Sequence, residues 1–192
     1  MFSGIIEQKA KILNIQNGVL TIENTFQEIP TIGQSIAHDG ACMTITDADA
    51  EKYSFFAMEE SLKITNFGTK KIGDFFNVER SLKMGDRIDG HFVTGHVDTV
   101  GNITEIIINN DQSKILTVHF DPKFQNFIIQ KGSITINGVS LTIVDQGRNF
   151  LSVSLIHLTQ EITNLGDLRM GDNVNLEFDM MGKYISKMMG HK

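Results

Sequence analysis

Tryptophan is absent from the chain, cysteine occurs once and proline twice. Two prolines exclude Pro-rich linkers. One cysteine, Cys42, excludes an internal disulfide and every zinc pattern built on several cysteines. A lone thiol suits a reducing compartment. Positive charge is also short: 17 Lys and Arg stand against 23 Asp and Glu, a formal net charge of -6. A nucleic-acid groove needs the opposite balance on one face. The opening "MFSGIIEQKAK" lacks a basic stretch followed by an apolar run, so no signal peptide is read there. The longest aliphatic patches, such as "ITEIIINN", fall far short of the roughly 20 residues a membrane span needs. The expectation is a soluble, cytoplasmic protein with no nucleic-acid or membrane partner. Phosphate-binding glycine loops, HExxH, EF-hand loops and GxSxG are missing as well. Nucleotide-phosphate and metal mechanisms therefore have no support.

What is present is written twice. "DGACMTIT" from Asp39 returns as "NGVSLTIV" from Asn137, 98 positions on, with Cys42 matched by Ser140. The same offset pairs "TNFG" from Thr65 with "TNLG" from Thr163, and "GDFFNVE" from Gly73 with "GDNVNLE" from Gly171. "FSGIIE" from Phe2 and "VTGHVD" from Val93 match at 91. A seven-residue insertion in the second copy reconciles the offsets, and the polar stretch "IINNDQSKI" is its expected place. The boundary between copies falls near "DGHFVTG". The expected units are 1–91, 92–179 and a remaining tail, 180–192.

Each copy reads as strands. "GVLTIENT", "CMTITDA", "VSLTIVD" and "NVNLEFD" alternate with period 2 and favour β-branched residues. Asp39-Gly40 and Asn137-Gly138 are strong hairpin turns. The fold class is all-β, a small barrel or sandwich in each copy. Asp121, Pro122 and Gly132 predict a helix across "DPKFQNFIIQKG", and "EESLKITN" and "LTQEITN" predict short helical turns at matching places. In the tail, Met181, Tyr184, Ile185 and Met188 recur at helical spacing, with Lys183, Ser186 and Lys187 opposite.

Alternation puts Cys42 and Thr44 on one strand face and Met43 and Ile45 on the other. Ser140 and Thr142 share the corresponding face. From alternation alone, the apolar set fills the core and the polar set faces water. A ligand pocket on the polar face is the sharper reading, since thiol and hydroxyl can both hydrogen-bond a ligand. His96 stands where the first copy has Ile5, so a titratable group replaces an apolar one in only one copy. Lys131 is a further candidate beside its ordinary role as a solvated helix-end lysine. His91, His119 and His191 are read as structural.

Together, "MFSGIIE", "GACMTIT" and "NGVSLTI", "VTGHVD", "TNFG" and "TNLG", and the terminal "LEFDMMGKYISKM" resemble the riboflavin synthase alpha-chain family over essentially the whole chain. The resemblance implies tandem six-stranded Greek-key β-barrels and a C-terminal helix that assembles a homotrimer. Each barrel would bind 6,7-dimethyl-8-ribityllumazine. The implied reaction transfers a four-carbon unit between two such molecules, giving riboflavin and 5-amino-6-ribitylaminouracil, with no cofactor or metal. Lumazine synthase is an implied candidate partner.

Carried over by position, the resemblance implies Cys42 and His96 as the catalytic pair of the first barrel. Ser35, Met43, Thr44, Glu60, Gly95 and Val97 surround them, with Gly4, Ile5, Ile6 and the stretch Phe56, Ala57, Met58, Glu59, Glu60, Ser61 as wall. For the second barrel it implies Lys131, Ser140, Leu141, Thr142, the stretch Ile156, His157, Leu158, Thr159, Gln160, and Asp179. The working site would lie between the first barrel of one subunit and the second of a neighbour. His157, Gln160 and Asp39 depart from the residues usual in the family. Alternatives are a non-catalytic lumazine- or flavin-binding protein of the same fold and a flavin-storage or structural duplicated barrel.

Overall fold

The computed structural model describes residues 1–190; His191 and the end of the predicted tail unit lie outside the described residues. Twelve strands form two closed antiparallel barrels of six. The first contains β1 (Gln8–Gln16), β2 (Val19–Glu23), β3 (Ser35–His38), β4 (Ala41–Ala48), β5 (Lys52–Phe56) and β6 (Phe75–Arg80). The second contains β7 (Thr99–Ile108), β8 (Lys114–His119), β9 (Ser133–Ile136), β10 (Val139–Gln146), β11 (Phe150–Leu155) and β12 (Asn173–Phe178). The neighbour order β1-β2-β5-β4-β3-β6 is repeated in the second barrel. Closure removes the exposed sheet edges that short antiparallel strands otherwise present.

Period-2 alternation assigns the faces. Met43 and Ile45 point into the first barrel, Ile143 into the second, and Cys42 and Thr44 lie on the outer face. A bulge between Ile45 and Asp47 recurs between Ile143 and Asp145. The insertion is divided rather than single. Ile12 pairs with Ile22 and Ile103 with Val118, so the offset grows from 91 (103 − 12) to 96 (118 − 22) across the first hairpin. It reaches 98 (133 − 35) only at β9, so two extra residues sit in the connection after β8. That connection holds a 3-10 helix, Pro122–Phe127, capped by the Asp121 carboxylate, which accepts from Lys123 N at 3.0 Å. The predicted helix is thus shorter and tighter, ending well before Gly132.

The two hairpin turns meet back to back. Asp39 and Gly40 have φ of 43° and 81°, and Asn137 and Gly138 have 47° and 78°. Two successive positive φ values are what a two-residue hairpin of the favoured twist requires. A Cβ on Gly40 would stand 2.8 Å from Gly138 N, so the contact admits glycine alone. Around it six residues form a buried polar knot: Asp39, Asn66 and Asn77 with their equivalents Asn137, Asn164 and Asn175. Asn66 N donates to Asn175 Oδ1 at 2.6 Å and Asn164 N to Asn77 Oδ1 at 2.7 Å, reciprocal bonds between the barrels. The knot fixes the barrels against each other, because each unmade bond in it would leave a buried polar group unsatisfied.

The predicted helical turns are α1 (Glu59–Ile64) and α2 (His157–Ile162), each followed by a 3-10 turn. The tail forms α3 (Met180–Met188), with the Asp179 carboxylate accepting from Met181 N at 2.9 Å. Ser186 is buried rather than solvated, a departure from the predicted faces. The small residues Gly182 and Ser186 face inward, and a Cβ on Gly182 would meet Phe127 O at 2.5 Å. Met181, Tyr184, Ile185 and Met188 point outward and are exposed. Among the described residues no helix is long and apolar enough to cross a membrane.

Candidate active site

Two short straps, one leading into each barrel, cross to the other barrel. The "FSGIIE" strap precedes β1 yet reaches the second barrel, where Ser140 N donates to Gly4 O at 2.8 Å. The "VTGHVD" strap precedes β7 yet reaches the first barrel, where Cys42 N donates to Gly95 O at 2.8 Å. Phe2 and Val93 form a bridge where the straps pass. Ile6 belongs to the second barrel's core cluster and Val97 to the first's. This corrects the expected placement of Gly4, Ile5 and Ile6, which sit at the second barrel. A six-residue strap has no periodicity that ties it to one barrel, and exchange keeps each contact local by symmetry.

At the first barrel the strap roofs a cavity of about 290 Å³. Cys42 and Met43 enter from β4, Gly95, His96 and Val97 from the strap. Met58, Glu60 and Ser61 come from the start of α1, joined by Ala41, Ile64 and Thr65, which the sequence expectation omitted. Glycine is required at 95: φ is 80°, and a Cβ would lie 2.6 Å from Cys42 Cβ and 2.8 Å from the Phe2 ring. Phe2 is fully buried and clusters with Ala37, Val93 and Cys42. It, too, was absent from the expected set; its signal was an aromatic held at the start of an otherwise matched strap. The remaining candidates stand around this cavity without lining it. Ser35 pairs directly with Thr44 on the neighbouring strand. Ala57 is buried in the first-barrel core, Phe56 lies exposed over Gly18, and Glu59 pairs with Lys63 at 2.8 Å on the surface of α1.

At the second barrel, Ser140 Oγ lies 2.7 Å from His91 Nδ1. Burial lowers the His91 pKa from its ordinary value, and the nearby Asp179 carboxylate works against the shift. His91, expected to be structural, touches a candidate site residue. Lys131 is exposed with φ of 66°, and its N donates to Ile143 O at 2.8 Å. The equivalent residue is Gly33, with φ of 88° and the same bond to Ile45 O. At 131 a lysine adopts the left-handed backbone that glycine adopts at 33 without strain. Leu141 is half-buried against the core and Thr142 is exposed. Ile156 and Leu158 are exposed at the start of α2, while the Thr159 carbonyl closes the helix by accepting from Thr163 Oγ1 at 2.6 Å. His157 lies 3.5 Å from Glu161 one turn on. Gln160 donates to Gln112 O at 3.0 Å, tying α2 to the lengthened hairpin tip. His119, read as structural, stacks on Phe150.

The two equivalent places therefore share a backbone and differ in chemistry. The first has a thiol and an imidazole, the second a hydroxyl with an imidazole supplied by the inter-barrel segment. Thiol and imidazole are both groups that can exchange a proton with a bound molecule.

Comparison with known proteins agrees with this layout. The model of the lumazine binding domain matches residues 3–81 and again 94–179. The riboflavin synthase of Actinobacillus pleuropneumoniae is 40% identical, covering 98% of this chain and 90% of its own. Those of Escherichia coli strain K12 and Bacillus subtilis strain 168 are both 35% identical, covering 93% and 100% of this chain. Among solved structures, LumP complexed with riboflavin superimposes with a TM-score of 0.82 at 22% identity, covering 93% of this chain and 99% of its own. The LumP complex with 6,7-dimethyl-8-(1'-D-ribityl) lumazine gives 0.77 at 21%. The identity to LumP speaks for the fold, and the full-length likeness to the synthases speaks for the lineage: the chain belongs to the riboflavin synthase family of tandem lumazine-binding domains.

Proposed function

We propose that this chain is a riboflavin synthase. It converts two molecules of 6,7-dimethyl-8-ribityllumazine into riboflavin and 5-amino-6-ribitylaminouracil by transfer of a four-carbon unit. The observation that carries the proposal is the pairing of Cys42 from β4 with His96 from the crossing strap in one cavity, in a chain similar to synthases over its full length. Two similar pockets suit two identical substrates, and unlike side chains suit donor and acceptor roles. Holding both rings together removes much of the entropic barrier of a bimolecular step. A base removes a proton from the acidic 7-methyl group of one lumazine, and Cys42 and His96 are the groups assigned to proton transfer and nucleophilic addition at the first barrel. Ser140, Thr142, Lys131 and Asp179 orient the second molecule.

The working units are 1–91 and 92–179, with 180–192 as the assembly element. The outward apolar stripe of α3 supports a homotrimer, since a helix this short needs a partner to bury that stripe. Donor and acceptor pockets then come from different subunits. Cytoplasmic location and contact with lumazine synthase belong to the same proposal. Mixing the full chain with the lumazine alone tests it. Riboflavin fluorescence with equimolar 5-amino-6-ribitylaminouracil is expected; tight lumazine binding without conversion would favour a carrier instead. Truncation after Asp179 is expected to give monomers by sedimentation velocity that bind lumazine and form no riboflavin.

A further inference from the structure

Two carboxylates outside the pockets hold the straps. Glu177 on β12 accepts from Thr94 N at 2.7 Å, Thr94 Oγ1 at 2.6 Å and Gly95 N at 3.0 Å. Thr94 Oγ1 in turn accepts from His96 N at 3.3 Å. Glu79 on β6 repeats the pattern, accepting from Ser3 N at 2.7 Å, Ser3 Oγ at 2.8 Å and Gly4 N at 3.0 Å, with Ile5 N donating to Ser3 Oγ at 3.3 Å. Both carboxylates are buried on the barrel that the strap leads into, while the strap itself rests against Cys42 or Ser140 of the other barrel.

We infer that Glu177 is a positioning residue for the first pocket, fixing through Thr94 and Gly95 the place of His96 and of the carbonyl that holds Cys42, and that Glu79 does the same for the Gly4–Ile5 wall of the second pocket. Three donors converge on each carboxylate, so only an acceptor at both oxygens fits. Burial pushes both carboxyls above the ordinary carboxylate range, and the donated bonds work against that shift. Keeping a buried acid at both places is costly unless its bonds are needed. Reacting groups tolerate only about 0.5 Å of misplacement. Glutamine at 177 would keep the bonds from Thr94 and turn its NH2 toward Gly95 N, donor against donor.

Amide hydrogen exchange on the full chain reads the straps without catalysis. Glu177→Gln is expected to speed exchange at Cys42 N about tenfold or more and leave Ser140 N within about twofold. Glu79→Gln is expected to do the reverse. A change at both amides alike, or at neither, overturns the inference. Glu177→Asp, which keeps the charge but shortens the reach, is the second variant if the glutamine form does not fold, and the same crossed pattern is required of it. The catalytic side rests on the riboflavin synthase proposal. There E177Q is expected to lower kcat about tenfold with KM moving less than about threefold, and to cost less than about twofold when His96 is already alanine. An equal penalty in both backgrounds overturns the placing of His96 by Glu177. If the wild-type chain makes no riboflavin, the functional proposal fails, while the exchange pattern still decides the role of Glu177.

Discussion

The two barrels have one strand order and unlike contents. His38 and Tyr53 lie fully buried in the first core where the second has Ile136 and Leu151. Cys42 faces a strap that carries His96, while Ser140 faces a strap that carries Ile5. On the axis between the barrels Asp39 accepts at both oxygens, from Asn77 N and Asn164 Nδ2 on one and Asn66 Nδ2 and Lys70 Nζ on the other. Its counterpart Asn137 accepts on Oδ1 and donates its NH2 to Asn164. Duplication supplied a frame, and the divergence falls in three places: the core, the strap contact and the axis between the barrels. The lesson is that backbone symmetry and chemical asymmetry are separable: hydrogen-bond ladders fix the first, and a few side chains set the second.

The comparison is broken hardest at the pockets. Cys42→Ala and His96→Ala are each expected to lower turnover by roughly 10²–10⁴, the range for a removed acid, base or nucleophile, with folding and lumazine binding retained. Steady-state assays and fluorescence titration check both halves. Asp39→Asn makes the axis chemically symmetric and leaves Lys70 without its carboxylate. Since the Asp39 side chain is fully buried and that of Lys70 is 14% exposed, the cost is expected near the low end for a broken buried pair, about 3 kcal/mol in urea unfolding.

The cores separate by pH. Ile36 O accepts from His38 Nδ1 at 3.2 Å, so the neutral ring takes the Tyr53 hydroxyl proton on Nε2 at 2.9 Å. Burial pushes the His38 pKa from 6.5 down to about 3, with the bond to Ile36 working against the shift. The unfolded chain therefore takes up the proton first. The first barrel is expected to keep its full stability above pH 6.5 and lose about 1.4 kcal/mol per unit as the pH falls from there toward 3. Converting His38 to Ile together with Tyr53 to Leu, the second barrel's pair, should remove that slope in thermal melts. The smallest effect belongs to the hairpin tip. Gln160→Leu loses the bonds to Gln112 O and Leu155 O, and is expected to cost about 1 kcal/mol or less.

Much of the frame was legible because strand period and turn chemistry act locally. The Asp39-Gly40 and Asn137-Gly138 turns, the offset of 98 and the outer-face placement of Cys42 all follow from short-range rules. The exchange of straps was not legible, because symmetry makes each strap fit either barrel equally. His91 reads as structural in the sequence because its partner Ser140 is 49 positions away. Glu79 and Glu177 stand at the same offset in the two copies, on the strand face opposite the core residues Phe76, Val78, Val174 and Leu176, and a repeated acid at that place is a signal the alternation carries.

The central claim is that one frame holds two chemically distinct pockets, and that the difference is what permits the reaction. Recasting the first pocket as a copy of the second, with Cys42→Ser and His96→Ile in the full chain, tests it most directly. The account predicts a folded protein that keeps the wild-type oligomeric state and binds 6,7-dimethyl-8-ribityllumazine, with riboflavin formation reduced by about 10³ or more. Riboflavin formation at the wild-type rate by that symmetrised chain would contradict it.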